Sequence, residues 1–188
     1  MAYGPPCSII GPPAKPPRLR GQLSSTLGSM ISFRVGQHRF HYRAAAIVRQ
    51  GNHLLLHRLV GDDFWALPGG RVNPGEEARD TIVREFLEEL EVQVECLGLV
   101  CVGENFFRYD GEPHHEVGFY FSARFDPSSP ITNTDTPHRG VEGSKPLEFR
   151  WFELSELLSI DMRPQALQQA LASGSLPMHF VERDRYAA

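Results

Sequence analysis

Cysteine is scarce in this chain. Cys7, Cys96 and Cys101 are odd in number and form no C-x-x-C pair, which argues against a disulfide framework or a cysteine-based zinc site. Such sparing use suits a reducing compartment, the cytoplasm. Long apolar runs are missing as well, and none approaches the roughly 18 residues a membrane span needs. Charge of one sign does not dominate: 19 basic and 23 acidic residues leave a net of −4. The first 29 residues hold Lys15, Arg18 and Arg20 and no acid, so the remainder carries 16 basic against 23 acidic residues, a net of −7. An acidic domain is poorly suited to duplex nucleic acid, where phosphate contacts supply most of the affinity. Phosphate chemistry stays open to it if bound metal ions bring the positive charge.

The acid-free segment also holds six of the fifteen prolines (Pro5, Pro6, Pro12, Pro13, Pro16 and Pro17), with Gly and Ser in much of the rest. Residues 1–29 therefore read as a disordered tail without a secretory apolar core. Its composition is also that of a transit peptide. Patterned sequence begins at Met30, and residues 30–188 are long enough for one domain with a real core.

Extended runs are expected at 30–35, 39–48 and 53–59, separated by polar turns. After Leu67-Pro68-Gly69-Gly70 and the turn Asn73-Pro74-Gly75 comes the clearest helix, opened by Glu76 or Glu77. Ala78, Ile82, Phe86 and Leu90 recur every four residues, with Val83 and Leu87 alongside, as a core-facing stripe. Strands are expected at 95–102, 105–109 and 116–125, with a reversal at Asp110-Gly111. Residues 126–146 read as a long loop, 149–152 as a last strand, and 154–159 and 164–172 as helices. This mixture indicates an α/β domain.

The helix is acidic where it should not be. Glu85, Glu88, Glu89 and Glu91 lie toward its C-terminal end, where the dipole opposes negative charge. Glu85, Glu88 and Glu89 are spaced i, i+3, i+4 and share one face, where like charges cost about 0.2–0.5 kcal/mol per pair. A solvated acidic face with Arg84 pairing locally is the plain reading. A divalent cation reverses both penalties, and magnesium takes oxygen ligands that it shares with substrate phosphates.

The spacing continues upstream. Gly70, Glu76, Arg84, Glu85, Phe86, Glu88, Glu89 and Val92 match eight of the nine specified positions of G-x5-E-x7-R-E-U-x-E-E-x-G-U, where U is bulky and apolar. The chain thus resembles the Nudix hydrolases, of the MutT-like kind. The ninth position, a glycine that closes the helix in the family, is Glu91 here, which puts the helix end in question. The resemblance implies an α/β/α sandwich with a mixed sheet. It implies divalent-ion binding, Mg2+ with Mn2+ as a substitute, by Glu85, Glu88, Glu89 and the Gly70 carbonyl. It further implies a support pair, Glu76 with Arg84, and cleavage of a pyrophosphate linkage in a nucleoside diphosphate derivative.

Such cleavage needs a base. Glu89 is the candidate within the box; outside it Glu116 comes first and Glu142 second. Arg58 is a candidate for a substrate phosphate. Tyr109, Phe106, Phe107 and Trp65 are candidates for stacking a base, although strand aromatics are usually core. His114 and His115 are a weaker candidate metal pair. Dinucleoside polyphosphate hydrolases resemble this chain in carrying a Tyr near Tyr109, 17 residues past Val92. ADP-ribose hydrolases tend to carry a Pro where this chain has Phe107. Nucleoside tri- or diphosphates and dinucleotides are accordingly expected ahead of ADP-ribose or nucleotide sugars. A silent nucleotide-binding regulator on the same fold is the reading of another class. An isoprenoid diphosphate isomerase would need an acid-base Cys, for which Cys96 and Cys101 lack a supporting motif. The strands at 31–48 would mediate a homodimer.

Overall fold

A computed structural model describes residues 30–184. The Pro-rich stretch at 1–29 lies outside the described residues, as do the last four positions. Strands are β1 (Ser32–Val35), β2 (His38–Gln50), β3 (His53–Leu59), β4 (Gly69–Arg71), β5 (Val94–Tyr109), β6 (Glu112–Phe125), β7 (His138–Glu142), β8 (Lys145–Glu153) and β9 (His179–Arg183). Helices are α1 (Ala78–Leu90) and α2 (Gln165–Ser173), with 3-10 turns at Pro130–Thr132 and Leu154–Ser159.

Alternation along the central strands sets the layers, because successive side chains leave a strand on opposite faces. From β2, Ala44, Ala46 and Val48 enter one core with Ile82 and Phe86 of α1. Ala45 and Ile47 enter a second core with Leu167 and Leu171 of α2. On β3, Leu55 joins the first core, and Leu54 and Leu56 join the second. The sheet is therefore buried on both faces, and the architecture is the expected α/β/α sandwich. Strand order is β7-β8-β3-β2-β6-β5-β9, with β1 and β4 also paired to β2. The β2–β6 and β5–β9 pairs are parallel and the others antiparallel, so the sheet is mixed.

A parting of strands positions the site. β2 and β3 pair at only two positions, Arg49 with Leu54 and Gln50 with His53. Beyond these, β4 takes the freed edge of β2 and pairs Gly69–Arg71 with residues 43–45. The opening between the β3-β8-β7 half and the β2-β6-β5-β9 half becomes a cavity, reached by α1 from one side.

Several expectations are corrected. Residues 126–146 are not a loop: they hold the turn Pro130–Thr132 and strand β7, which pairs with β8. That edge strand is mostly polar and exposed, so it carries no alternating signal. The strands expected at 95–102 and 105–109 are one strand, β5, whose register slips between Cys96 and Gly98 and between Leu99 and Cys101. At the expected break, Gly103 keeps the ladder and pairs with Gly118, its bare Cα giving room to the Phe180 ring. Strand β9 was not expected: only Phe180 in it is buried, too little for a pattern. Val83 and Leu87 are exposed, so the core stripe of α1 is narrower than read. Glu91, where the family's glycine is missing, takes the left-handed conformation anyway (φ 57°, ψ 27°), and its N–H reaches the Leu87 carbonyl. The helix closes as a glycine would close it, at a cost of about 1–2 kcal/mol.

Candidate active site

Two glycines bring a loop onto α1. A β-carbon on Gly69 (φ +143°) would fall 2.2 Å from the Ala44 carbonyl oxygen, part of the β2 backbone. One on Gly70 would fall 2.0 Å from Glu85 Oε1. The Glu85 carboxylate thus lies directly against the bare Cα of Gly70. Gly69→Ala is expected to destabilise the protein by at least about 3 kcal/mol in urea unfolding, because strand backbone must move and the φ is hostile to a side chain. Gly70→Ala is expected to cost less stability, since a carboxylate can swing aside, while displacing Glu85 and its function.

Arg84 ties the loop to the helix. Its Nε and Nη2 donate to Glu76 Oε1 and Oε2 at 2.8 and 3.1 Å, its Nη1 donates to Glu85 Oε1 at 2.7 Å and Glu88 Oε2 at 3.0 Å, and Nη2 also reaches the Arg71 carbonyl at 3.1 Å. Glu76 Oε2 accepts from the Asn73 N–H and the Thr81 hydroxyl, each at 2.9 Å. Burial works to raise the Glu76 pKa, but these hydrogen bonds outweigh it and hold the group below its ordinary value.

The other carboxylates differ. Glu85 and Glu89 are buried, whereas the Glu88 side chain is exposed. Burial pushes Glu85 up to about 7 against the pull of Arg84, with Glu89 adding to the rise. Burial pushes Glu89 up to about 8; Arg43 opposes this, and Glu142 and Glu88 add to it. His57 Nδ1 stands 3.7 Å from Glu89 Oε2, buried and without a hydrogen bond, and burial holds its imidazole down to about 3, hence neutral. Among the described residues no three His, Cys, Asp or Glu side chains converge as a metal site, and Arg84 instead spans Glu85 and Glu88. The donor set nevertheless fits a hard divalent cation: every donor is an oxygen, two carboxylates pay a burial cost that a cation would relieve, and exposed Glu88 is free to turn from Arg84.

The cavity holds 1080 Å³ and is lined by Gly70, Glu89, Glu116 and Glu142 among others. Two cations on its wall escaped the sequence reading. Arg43 of β2 and Arg71 of β4 are register partners, and neither makes an ion pair among the described residues. The signal was parity: His41, Arg43 and Ala45 share one face of β2, and each lines the cavity.

This combination of glycine loop, acidic helix and cationic wall has known counterparts. The family model of the NUDIX domain matches residues 39–172. The chain belongs to the Nudix hydrolase family. Nudix hydrolases act on pyrophosphate bonds of nucleotide derivatives and use divalent metal ions. A Bacillus subtilis (strain 168) protein, provisionally described as an 8-oxo-dGTP diphosphatase, is 44% identical over 43 residues, 23% of this chain and 29% of the relative. An RNA pyrophosphohydrolase of Cronobacter sakazakii is 34% identical over 61 residues, 32% of this chain and 34% of the relative. The chain thus spans 29% and 34% of the length of these two curated relatives. The crystal structure of a MutT NUDIX hydrolase from Burkholderia pseudomallei has 25% identity and a TM-score of 0.52, covering 70% of this chain and 95% of that one.

Outside the Nudix box, the expected site residues divide. Tyr109 and Phe107 line the cavity, but Phe106 does not: it points away from Phe107, against His115 at 4.3 Å and under Arg183 at 3.9 Å. Trp65 is core, packed on Phe152 at 4.8 Å. Arg58 lines the cavity with its guanidinium forked onto Glu148 Oε2 at 3.0 and 2.8 Å and stacked over Trp65, so it is less available to a phosphate than Arg43 or Arg71. His114 and His115 cannot share a metal, because neighbouring strand residues face opposite ways. His114 Nδ1 instead meets His41 Nε2 at 2.6 Å. Glu142 and Glu116 both line the cavity. Glu142 raises the pKa of Glu89, while Glu116 is not among the charges that shift Glu89 and interacts instead with Arg43 and Arg71.

Proposed function

We propose that this Nudix hydrolase cleaves a phosphoric anhydride bond in a nucleoside tri- or diphosphate or a dinucleoside polyphosphate, with Mg2+ as cofactor. One observation carries the reading: buried Glu89 opens on the same cavity as Arg43 and Arg71, which make no ion pair among the described residues, and buried Glu85 lies against Gly70 of the cavity wall. Cations and acids in one space suit a substrate that is itself anionic and arrives with a metal.

Glu85, Glu88 and Glu89, with the Gly70 carbonyl, would hold the ion, and Mn2+ would substitute for Mg2+. Bound there, the ion neutralises phosphate oxygens and lowers the pKa of water. Arg43 and Arg71 grip the phosphates and fix their direction. Glu89, held near neutrality by its burial, takes the proton of the attacking water, and Glu142 is the acid beside it. Glu116 is the alternative base, supported by its place on the cavity wall. His57 lies behind Glu89 and limits where that carboxylate can turn. Arg84 and Glu76 keep the loop seated on the helix.

No helix among the described residues is long and apolar enough to cross a membrane. The free thiols of Cys96 and Cys101 support a cytoplasmic location, and the net negative charge disfavours duplex nucleic acid as a partner. Exposed Phe33 and Val35 on β1 support a homodimer through the strands at 31–48.

Product release from nucleoside tri- and diphosphates, dinucleoside polyphosphates, ADP-ribose and nucleotide sugars, each with Mg2+ and with EDTA, tests the proposal. Metal-dependent turnover is expected, with kcat/KM highest for the first three. A ranking led by ADP-ribose or nucleotide sugars would replace the substrate class. No turnover with Mg2+ or Mn2+ would favour a nucleotide-binding regulator.

A further inference from the structure

A ring nitrogen beside the acidic helix is buried with nothing to bind. His57 of β3 is 8% exposed, and its Nδ1 makes no hydrogen bond among the described residues. A buried polar atom left unbonded costs about 1–3 kcal/mol, so it persists where something outside the chain completes it. The residue is also fixed in place. Its backbone N–H and carbonyl both bond to Ala66, each at 2.9 Å. Phe149 of β8 is its register partner, with the two rings 5.3 Å apart.

The group that Nδ1 faces is a carboxylate of the acidic helix. Glu89 Oε2 stands 3.7 Å away, too far for a hydrogen bond. The spacing suits two donors on one ion: bonds of about 2.1 Å place neighbouring ligands about 3.0–3.4 Å apart. A small turn of the Glu89 carboxylate closes the difference. His57 and Glu89 both line the cavity, so an ion reaches them from the space that admits the substrate. The imidazole is neutral because burial disfavours its charged form, and a neutral ring keeps a lone pair on one nitrogen. Imidazole is a common ligand of transition ions, whereas Mg2+ takes oxygen donors.

We infer that His57 Nδ1 is a nitrogen ligand to the ion held by Glu89, and that it raises the affinity of the site for Mn2+, Co2+ and Ni2+ relative to Mg2+. The inference rests on the proposed metal chemistry and adds a donor outside the box. It also gives the orphaned nitrogen its partner. Among divalent ions of the first transition row, Ni2+ gains more from such a donor than Mn2+ does. A ring that only propped Glu89 through an Nδ1–H donor would leave the ion with oxygen ligands alone.

Pulsed electron paramagnetic resonance of Mn2+, added to the metal-free full chain, reads the ligand without turnover. Nitrogen bound to Mn2+ modulates the electron spin echo, and oxygen ligands do not. The unaltered protein is expected to show nitrogen modulation that changes when its histidines carry 15N. His57→Asn puts an amide in place of the ring nitrogen. It should abolish the modulation while Mn2+ still binds through the carboxylates. In competition with Mn2+, it should weaken Ni2+ at least about tenfold more than Mg2+, in line with the cost of altering a metal site. Thermal melting in EDTA checks that the variant folds, and the labelling result stands without it. Bound Mn2+ with no nitrogen modulation in the unaltered protein would overturn the inference and leave the proposed metal site standing. So would modulation that ignores the histidine label or survives His57→Asn. No Mn2+ binding at all would sink the metal site itself, and the inference with it.

Discussion

Glu89→Gln is expected to lower kcat by at least about a thousandfold, combining loss of a base with loss of a metal ligand, while the metal-free protein melts no lower than before. The two halves of the result have one cause. Glu89 sits at about 8 in the folded chain against an ordinary 4.5 because its charge is buried. Between those values the folded state holds a proton that the unfolded state has released, so stability falls as pH rises through the window. Glu85, at about 7, adds to the same slope. Glutamine carries no charge to bury, so the variant should lose part of that slope and gain most in stability near pH 8. The window is cleanest between pH 8 and about 6.5. Below the ordinary histidine value, His41 and His57, each held near 3 chiefly by burial, favour proton binding in the unfolded state and oppose the trend. Melting temperatures in EDTA at pH 8.0 and 6.5 check the sign. A metal-free variant melting several degrees below the unaltered protein at pH 8.0 would mean that Glu89 is a structural group.

Arg84→Met is expected to cost about 3–5 kcal/mol of folding stability, the usual penalty for removing one partner from a buried charge network. Arg84 alone bridges Glu76, Glu85, Glu88 and the Arg71 carbonyl. Without it, Glu76 and Glu85 remain as partly desolvated acids, and the loop bearing Gly70 loses its anchor. The loss should be greatest above pH 7, where both acids are charged, and should shrink as acidification neutralises them. Urea unfolding at pH 8.0 and 5.5 measures the difference. Arg84→Lys keeps the charge but cannot match the fork on Glu76, so its loss should be intermediate.

What could be read from the residues was what leaves a local pattern. The acidic run against the helix dipole, the spacing from Gly70 to Val92 and the four-residue stripe of α1 each depend on neighbours in sequence, and each marks its element correctly. The cationic wall does not. Arg43 opens an apolar run and Arg71 ends a strand of three residues, so nothing local says that β4 lies on the edge of β2. Phe106 and Phe107 differ only by parity, and parity was unassigned until bulges set the register of β5. Glu142 seemed to lie in a loop because β7 is polar and at the sheet edge.

Manganese titration of the metal-free protein, followed by electron paramagnetic resonance, tests the central claim most directly, since it needs neither substrate nor turnover. The account predicts saturable Mn2+ binding that Mg2+ displaces, weakened at least about tenfold by Glu85→Gln or Glu89→Gln, in line with the cost of altering a metal site. Affinity should also rise between pH 6.5 and 8, as both acids shed their protons to the ion. Equal Mn2+ binding in the unaltered protein and both variants would contradict it, because the buried carboxylates of α1 would then hold no metal.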